Sequence, residues 1–524
     1  MAYYSLHAYD ADVWISGFAG LNQYGPGLDG DVRYAVEEAN LETPAGVLQP
    51  MAAPELLSAG FDSSKIETLA HLYRRWYTGA ENKEVLFAAT AGKLYYLTSA
   101  TQNWTQLPFP TGVSSYASNV WSWVAYEINP EGASSPVDIL LLSNAKDGMI
   151  MVVPPYASTG TYANWTVSAV DTRADPTDPS EVAKKFGVIE RYAERIWGGA
   201  IPDDPDMLVY SRPYDPTDWT PAGSDEEPED GAGSIQQPSW DGDSFTGLRQ
   251  FGQQLIAIKN HRVWRILGTD PGEYTFKEQY GGGAPFVNTI AVDIERILMA
   301  EKDGLAVYDG LSVTPLAREA VEDLWRTINK NAMDQMCAAL HKQKYYIAFP
   351  TGTSTYNNAL LVYNTQDNTF LFYNSVNIES FLVTEDKLYA TSATIPGKVL
   401  VINYDSWITG TANEAATKWV SPWMTLGRDS MKKGGFDLYF QPEVKNDPVT
   451  LTFSIQTEKK VKTKKYTIQP LTAMEKANGK NYKVKKLHFG GAGRRFRLII
   501  ESAATQYPWR LIGGIQIIAE TDPD

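Results

Sequence analysis

One meander of short strands, clear in a single stretch and repeated in weaker form along the chain, limits the possible folds more than any other feature. Residues Ala339 to Asn374 read Ala-Leu-His-Lys-Gln-Lys-Tyr-Tyr-Ile-Ala-Phe-Pro, then a turn-rich Thr351–Asn358, then Ala-Leu-Leu-Val-Tyr-Asn, a turn at Thr365–Asn368, and Thr-Phe-Leu-Phe-Tyr. Short runs of aromatic and β-branched residues broken by Gly, Asn, Asp and Pro are strand–turn–strand signals. Three such strands in so short a stretch predict an antiparallel meander.

Comparable units precede and follow it. One runs from Ile66–Tyr77 through Val85, Lys93 and Trp104, and a second from Trp121–Tyr126 through Val137, Met149 and Trp165. A third takes in Gly187, Arg195, Met207 and Trp219, and a fourth Gly247, Gln254, Arg262 and Tyr274. The fifth spans Ile290, Arg296, Gly304 and Val313, and a last one Phe381, Lys387 and Val399. A meander alone leaves two apolar faces bare, so repeated meanders must cover one another, and a closed ring also removes exposed edges. The expected fold is all-β: a β-propeller of six or seven blades over residues 51–408. A stacked sandwich is the structural rival, but it calls for longer strands and fewer near-equivalent hairpins.

Residues 1–50 read as an arm that packs on the propeller. Val321, Leu324, Trp325 and Ile328 form one apolar stripe, predicting a helix over Ala317–Asp334 that connects two blades. The short polar stretch 409–417 reads as a linker. Beyond it, longer and more cleanly alternating strands predict a separate antiparallel β-sandwich over 418–524.

Charge divides the chain at the same place. From Lys418 onward there are 19 Lys and Arg against 10 Asp and Glu, a net of +9, whereas the rest holds 27 basic and 52 acidic residues, a net of −25. Wrapping of nucleic acid around so acidic a main body is disfavoured, while a basic domain suits an acidic protein surface or DNA phosphates. The basic residues Lys459, Lys460, Lys462, Lys464, Lys465, Lys483, Lys485, Lys486, Arg494, Arg495 and Arg497 are therefore the candidate docking residues, against the plainer reading of a solvated sandwich face. No run reaches the ~18 apolar residues of a membrane-spanning helix. The start, Met-Ala-Tyr-Tyr-Ser-Leu, lacks the basic and apolar regions of a signal peptide, so synthesis in a cytoplasm is expected. The lone Cys337 is expected to be a buried thiol.

No catalytic, cofactor-binding or metal-binding residues are predicted. The five histidines are scattered singly, and His341 is expected at a surface or rim. Gly281-Gly-Gly283 lacks the strand–helix setting of a phosphate loop. The acidic loop Asp225–Gly231 and the trio Asp203, Asp204 and Asp206 lack the alternation of a calcium loop and read as solvated surface.

Several pieces together resemble a family. Phe18-Ala-Gly-Leu-Asn22, then Ala39-Asn40 and Gly46-Val-Leu, is similar to the start of packaged-DNA stabilisation and tail hub or nozzle propeller proteins of short-tailed phages. Asp303-Gly-Leu-Ala-Val-Tyr-Asp-Gly310 resembles their Gly…Asp-Gly hairpin before a helix. Phe496-Arg-Leu-Ile-Ile and Pro508-Trp-Arg-Leu-Ile-Gly-Gly-Ile resemble the closing strands of their C-terminal sandwich. The chain departs from the pattern at Gln49-Pro-Met, where Arg-x-Gly often stands. The resemblance implies a non-enzymatic virion protein of the phage tail, taking part in head–tail connection. Its copies, expected to form a hexamer, would ring the tail axis below the portal or adaptor, extend the DNA channel, retain packaged DNA until ejection, and contact other tail proteins or fibres. Two rivals are a receptor- or glycan-binding tail protein, for which Trp197, Trp219, Trp240 and Trp264 would have to cluster on a rim, and a propeller glycoside hydrolase.

Overall fold

A computed structural model describes residues 9–23, 31–58, 60–77, 83–98, 103–130, 133, 135–157, 161–162, 164–236, 243–316, 318–403, 405–426, 432–477 and 481–522. Trp240, singled out in the sequence, lies outside these residues.

Among the described residues seven four-stranded antiparallel sheets build a propeller, each ordered from an inner to an outer strand. The first is Thr68–Tyr73, Glu84–Thr90, Lys93–Thr98 and Thr105–Gln106. The next four begin at Ser122–Ile128, Val188–Tyr192, Phe245–Phe251 and Ala291–Val292. The sixth is Cys337–His341, Lys344–Phe349, Ala359–Asn364 and Thr369–Tyr373, so the meander read as three strands has four. In the third blade the outermost strand is Gly233–Gln236, not the segment around Trp219. Second strands are covered on both faces and are apolar almost without a break; Val137–Asn144 is buried throughout.

Seven hydrophobic layers fill the spaces between neighbouring blades. The last closes the ring, with Leu382, Tyr389 and Val399 of blade seven packed on Ile66, Leu69 and Leu86. Blade seven takes Ser380–Val383, Leu388–Thr391 and Val399–Val401 from the end of the propeller sequence, and its outer strand, Glu55–Leu56, from the start. Closure therefore ties together chain segments more than three hundred residues apart by hydrogen bonds as well as by packing.

The sandwich has two sheets. One contains Lys432–Val444, Lys485–Gly493 and Trp509–Asp522; the other contains Ala415–Val420, Val449–Thr457, Val461–Ile468 and Phe496–Thr505. The arm corrects the sequence expectation, because it packs on more than the propeller. Tyr9–Ile15 pairs antiparallel with Trp509–Asp522, and Glu37–Ala39 pairs with Ala415–Val420, so the arm adds an edge strand to each sandwich sheet. Ile15, Phe18, Leu41 and Leu48 are buried in the sandwich core, and Phe18 meets Trp419 edge-on at 5.2 Å. On the propeller side, Leu21 pairs with Phe370 on the outer strand of blade six.

Asn40 fastens these parts. Its Nδ2 donates to Asn374 Oδ1 at 2.7 Å in blade six and to the Ala416 carbonyl at 2.8 Å in the sandwich. Its Oδ1 accepts from Asn374 N and Ser375 Oγ. The residue has φ +58, a conformation Asn tolerates better than most residues. Asn40→Ala is expected to cost about 2–3 kcal/mol, because four hydrogen bonds are lost in a buried joint; thermal melting of the variant checks this.

Two further expectations are corrected. The stretch 409–417 is not a free linker, since Ala412 bridges Ala52, Asn413 N donates to the Met51 carbonyl, and a strand starts at Ala415. The predicted long helix is three short turns, Arg318–Val321, Glu322–Arg326 and Lys330–Gln335. Its stripe is right, as Val321, Leu324, Trp325 and Ile328 are all buried. The helix stops because Ile328 bridges Thr351 and Asn329 N donates to the Pro350 carbonyl, which draws the backbone onto blade six. Among the described residues no helix is long and apolar enough to cross a membrane.

Candidate functional site

The basic residues converge because of where their strands lie. Val461–Ile468 is the outermost strand of one sandwich sheet and Lys485–Gly493 the outermost strand of the other, and the two edges run side by side. Lys462 stands opposite Ile455 and Lys464 opposite Phe453, positions that face the core. Both are nevertheless exposed, because the sandwich opens at this edge; Lys464 Nζ lies 5.9 Å from the Phe489 ring of the facing sheet. Inward-pointing charge on an edge strand blocks pairing with a further sheet, so these lysines keep the edge open without inviting aggregation. Lys465 stands opposite Thr452 on the outer face, and Lys459 and Lys460 occupy the preceding hairpin turn.

The other candidates separate by partner. Lys486 Nζ binds Asp437 Oδ2 at 2.8 Å, as His488 Nδ1 binds Oδ1. Burial pushes the Asp437 carboxyl up, but the hydrogen bonds from Lys486 and His488 outweigh it and hold the group below the usual carboxylate range. Arg497 is directed elsewhere, donating to Gln456 and stacking 5.0 Å from the Trp423 ring. Arg495 N donates to Glu458, and Arg494 borders a cavity of about 330 Å³ with Lys432, Glu458 and Lys459. Among the described residues no carboxylate forms an ion pair with Lys459, Lys460, Lys462, Lys465, Lys483 or Lys485. Among the described residues the edge is therefore a cationic strip whose charge is met only in part, by Asp437 on Lys486.

Sequence reasoning missed a second feature, at the propeller axis. A cavity of about 350 Å³ is lined by all seven blades. Its charged walls are Glu67, Glu190, Glu379 and Arg249, with Trp121, Trp123 and Phe381 between them. Burial raises the carboxyl groups of Glu190 and Glu379 above their ordinary value and lowers the Arg249 guanidinium. Cys337 also lines the cavity, its thiol pushed well up by burial. Acidic residues at the starts of inner strands were the available signal, but only the ring closure brings them face to face.

The remaining candidates are structural. His341 is buried rather than on a rim, and burial lowers its pKa. Asp206 is not solvated surface; it holds the ammonium of Lys259, whose side chain is only 2% exposed, at 2.9 Å. Trp197 and Trp219 are buried and Trp264 packs against the core between blades three and four, so these three form no rim cluster.

No protein-family model matches the chain, and no curated protein matches it. Among solved structures it is similar to the WD40 domain of Neurospora crassa Pan2, with 10% identity and a TM-score of 0.35, over 67% of this chain and 97% of that one.

Proposed function

We propose that the chain is a structural, non-catalytic component of a short-tailed phage tail, assembled as a ring below the portal or adaptor through which packaged DNA passes. The observation that carries the reading is electrostatic: a cationic strip on the sandwich edge, in which Lys459, Lys460, Lys462, Lys465, Lys483 and Lys485 pair with no carboxylate among the described residues, beside a main body of net charge −25. Such a strip suits the acidic propeller of a neighbouring copy, and repetition of that contact around an axis closes a ring. The sequence resemblance to tail hub and nozzle proteins supports the same reading. DNA would run along the axis of the assembled ring, since the propeller's own cavity of about 350 Å³ is of small-molecule size.

Mass measurement and negative-stain imaging of the full chain test this. A ring with an axial channel is expected at low ionic strength, dissociating as salt shortens the Debye length from about 10 Å toward 3 Å. Lys462→Glu with Lys465→Glu is expected to leave a folded monomer. A monomer at every salt concentration, or a ring indifferent to molar salt, overturns the electrostatic clamp.

A further inference from the structure

The outer face of one sandwich sheet carries two rows of side chains that the core does not use. In that sheet Tyr9–Ile15 pairs with Trp509–Asp522, which pairs with Lys432–Val444, which pairs with Lys485–Gly493. Register sets Trp14 opposite Gln516, Gln516 opposite Tyr439, and Tyr439 opposite Lys486. In the next row Asp12 stands opposite Ile518, Ile518 opposite Asp437, and Asp437 opposite His488. Directly opposite residues share a face. Here it is the solvent face, since the alternate residues Ile15, Ile517, Leu438 and Phe489 are buried in the core. Trp14 is 60% exposed. Ile518 is the diagonal neighbour of both Trp14 and Tyr439, so the three apolar bodies form one continuous patch.

Charge on this face is met largely within it. Asp437 holds Lys486 and His488, both at 2.8 Å, and Asp12 accepts from Gln516 Nε2 at 3.2 Å. Lys486 Nζ lies 5.4 Å from the centre of the Tyr439 ring and is hydrogen-bonded to its hydroxyl, so the ammonium stands toward the phenol end. A highly charged partner therefore gains little here, in contrast with the cationic strip on the neighbouring edge. The complementary occupant is neutral, flat and apolar on one side, and edged with hydroxyl groups, which is the chemistry of a pyranose ring. Trp14 and Tyr439 are two strands apart, about 10 Å at the ordinary inter-strand spacing. An extended β-1,4-linked hexose chain presents the same ring face at every second ring, a repeat of the same length. We propose that this sheet face binds a neutral β-1,4-linked polysaccharide, with alternate rings stacked on Trp14 and Tyr439 and hydroxyls bonded by Asp12 and Gln516. The site does not depend on the chain working in a tail.

Isothermal titration of the full chain with cellohexaose near neutral pH tests the proposal, with maltohexaose, whose α links curve the same rings into a helix, as the comparison. Saturable binding of cellohexaose is expected, and binding of maltohexaose at least about tenfold weaker. Trp14→Ala is expected to weaken cellohexaose about tenfold and Gln516→Ala about threefold, the scale of one stacked ring and one neutral hydrogen bond. Trp14→Phe, which keeps a flat ring, is expected to retain most of the affinity. If Trp14→Ala lowers the melting temperature, Gln516→Ala carries the same test. No saturable binding of cellohexaose, equal binding of maltohexaose, or an affinity unchanged in both alanine variants overturns the site. Self-association that Trp14→Ala abolishes, without binding of cellohexaose, overturns it as well and assigns the face to a second copy of the chain.

Discussion

Arg195→Ala is expected to lower the stability of the propeller by about 3–5 kcal/mol, the loss of several hydrogen bonds from a charged donor. Arg195 starts the second strand of blade three and is 1% exposed. Its Nη1 donates to the carbonyls of Ser211 and Gly231 at 2.8 and 2.7 Å, its Nη2 donates to the Glu229 carbonyl, and its guanidinium lies 5.3 Å from the Tyr210 ring. The buried cation is thus met by backbone oxygens of the acidic loop 225–231, and the loop is ordered by the cation. Truncation would empty a volume beneath Tyr210 and leave buried carbonyls unpaired. Faster cleavage within residues 225–231 by an added protease should accompany the lower melting temperature. Arg212→Ala is the contrast. Arg212 grips the same loop through Glu226, but that carboxylate is in solvent, where screening leaves little net stabilisation. Equal effects from the two substitutions would refute the assignment of the loop's anchor to Arg195.

Features carried by near neighbours in sequence were legible, and those that depend on distant partners were not. Lys93–Thr98 returning on Glu84–Thr90 through Gly92, at φ +70, is a hairpin that short-range chemistry dictates. The stripe through Val321 and Ile328 predicted the buried face correctly and the helix length wrongly, because periodicity reports which side is covered and says nothing of a bridge to Thr351. Glu55–Leu56 closes the ring with two exposed residues, too short a segment to carry alternation. Tyr9–Ile15 finds its partner at the far end of the chain, and nothing local encodes that choice. The basic strip was readable as composition, yet its division into cations paired with Asp437 and cations without a carboxylate depends on register across two sheets. The axial cavity depends on closure of the ring and was not legible at all.

Raising the pH from about 5 to about 9 is expected to destabilise the joint between arm, blade six and sandwich, and Glu38→Gln with Glu42→Gln is expected to abolish most of that loss. Glu38 is 2% exposed, with neither carboxyl oxygen hydrogen-bonded, on the arm strand paired with Trp419. Glu42, 5% exposed, is hydrogen-bonded with Tyr373 of blade six and is flanked by Lys344 and Asp405. Burial pushes Glu42 up from 4.5 to about 8, and burial followed by repulsion from Glu42 pushes Glu38 well above the carboxylate range. A raised folded-state pKa means that the folded chain binds the proton more tightly than the unfolded chain. The contribution is complete below the unfolded value near 4.5 and declines as pH rises, until Glu42 has lost it above about 8. For Glu42 alone that interval corresponds to roughly 4–5 kcal/mol. The net charge of −25 on the residues before Lys418 also disfavours the fold as pH rises, so the informative quantity is the difference between wild type and variant. Melting temperatures should coincide near pH 5 and diverge toward pH 9, with the double glutamine variant higher. Parallel curves for the two proteins would show that the carboxyl groups are not held protonated in the joint.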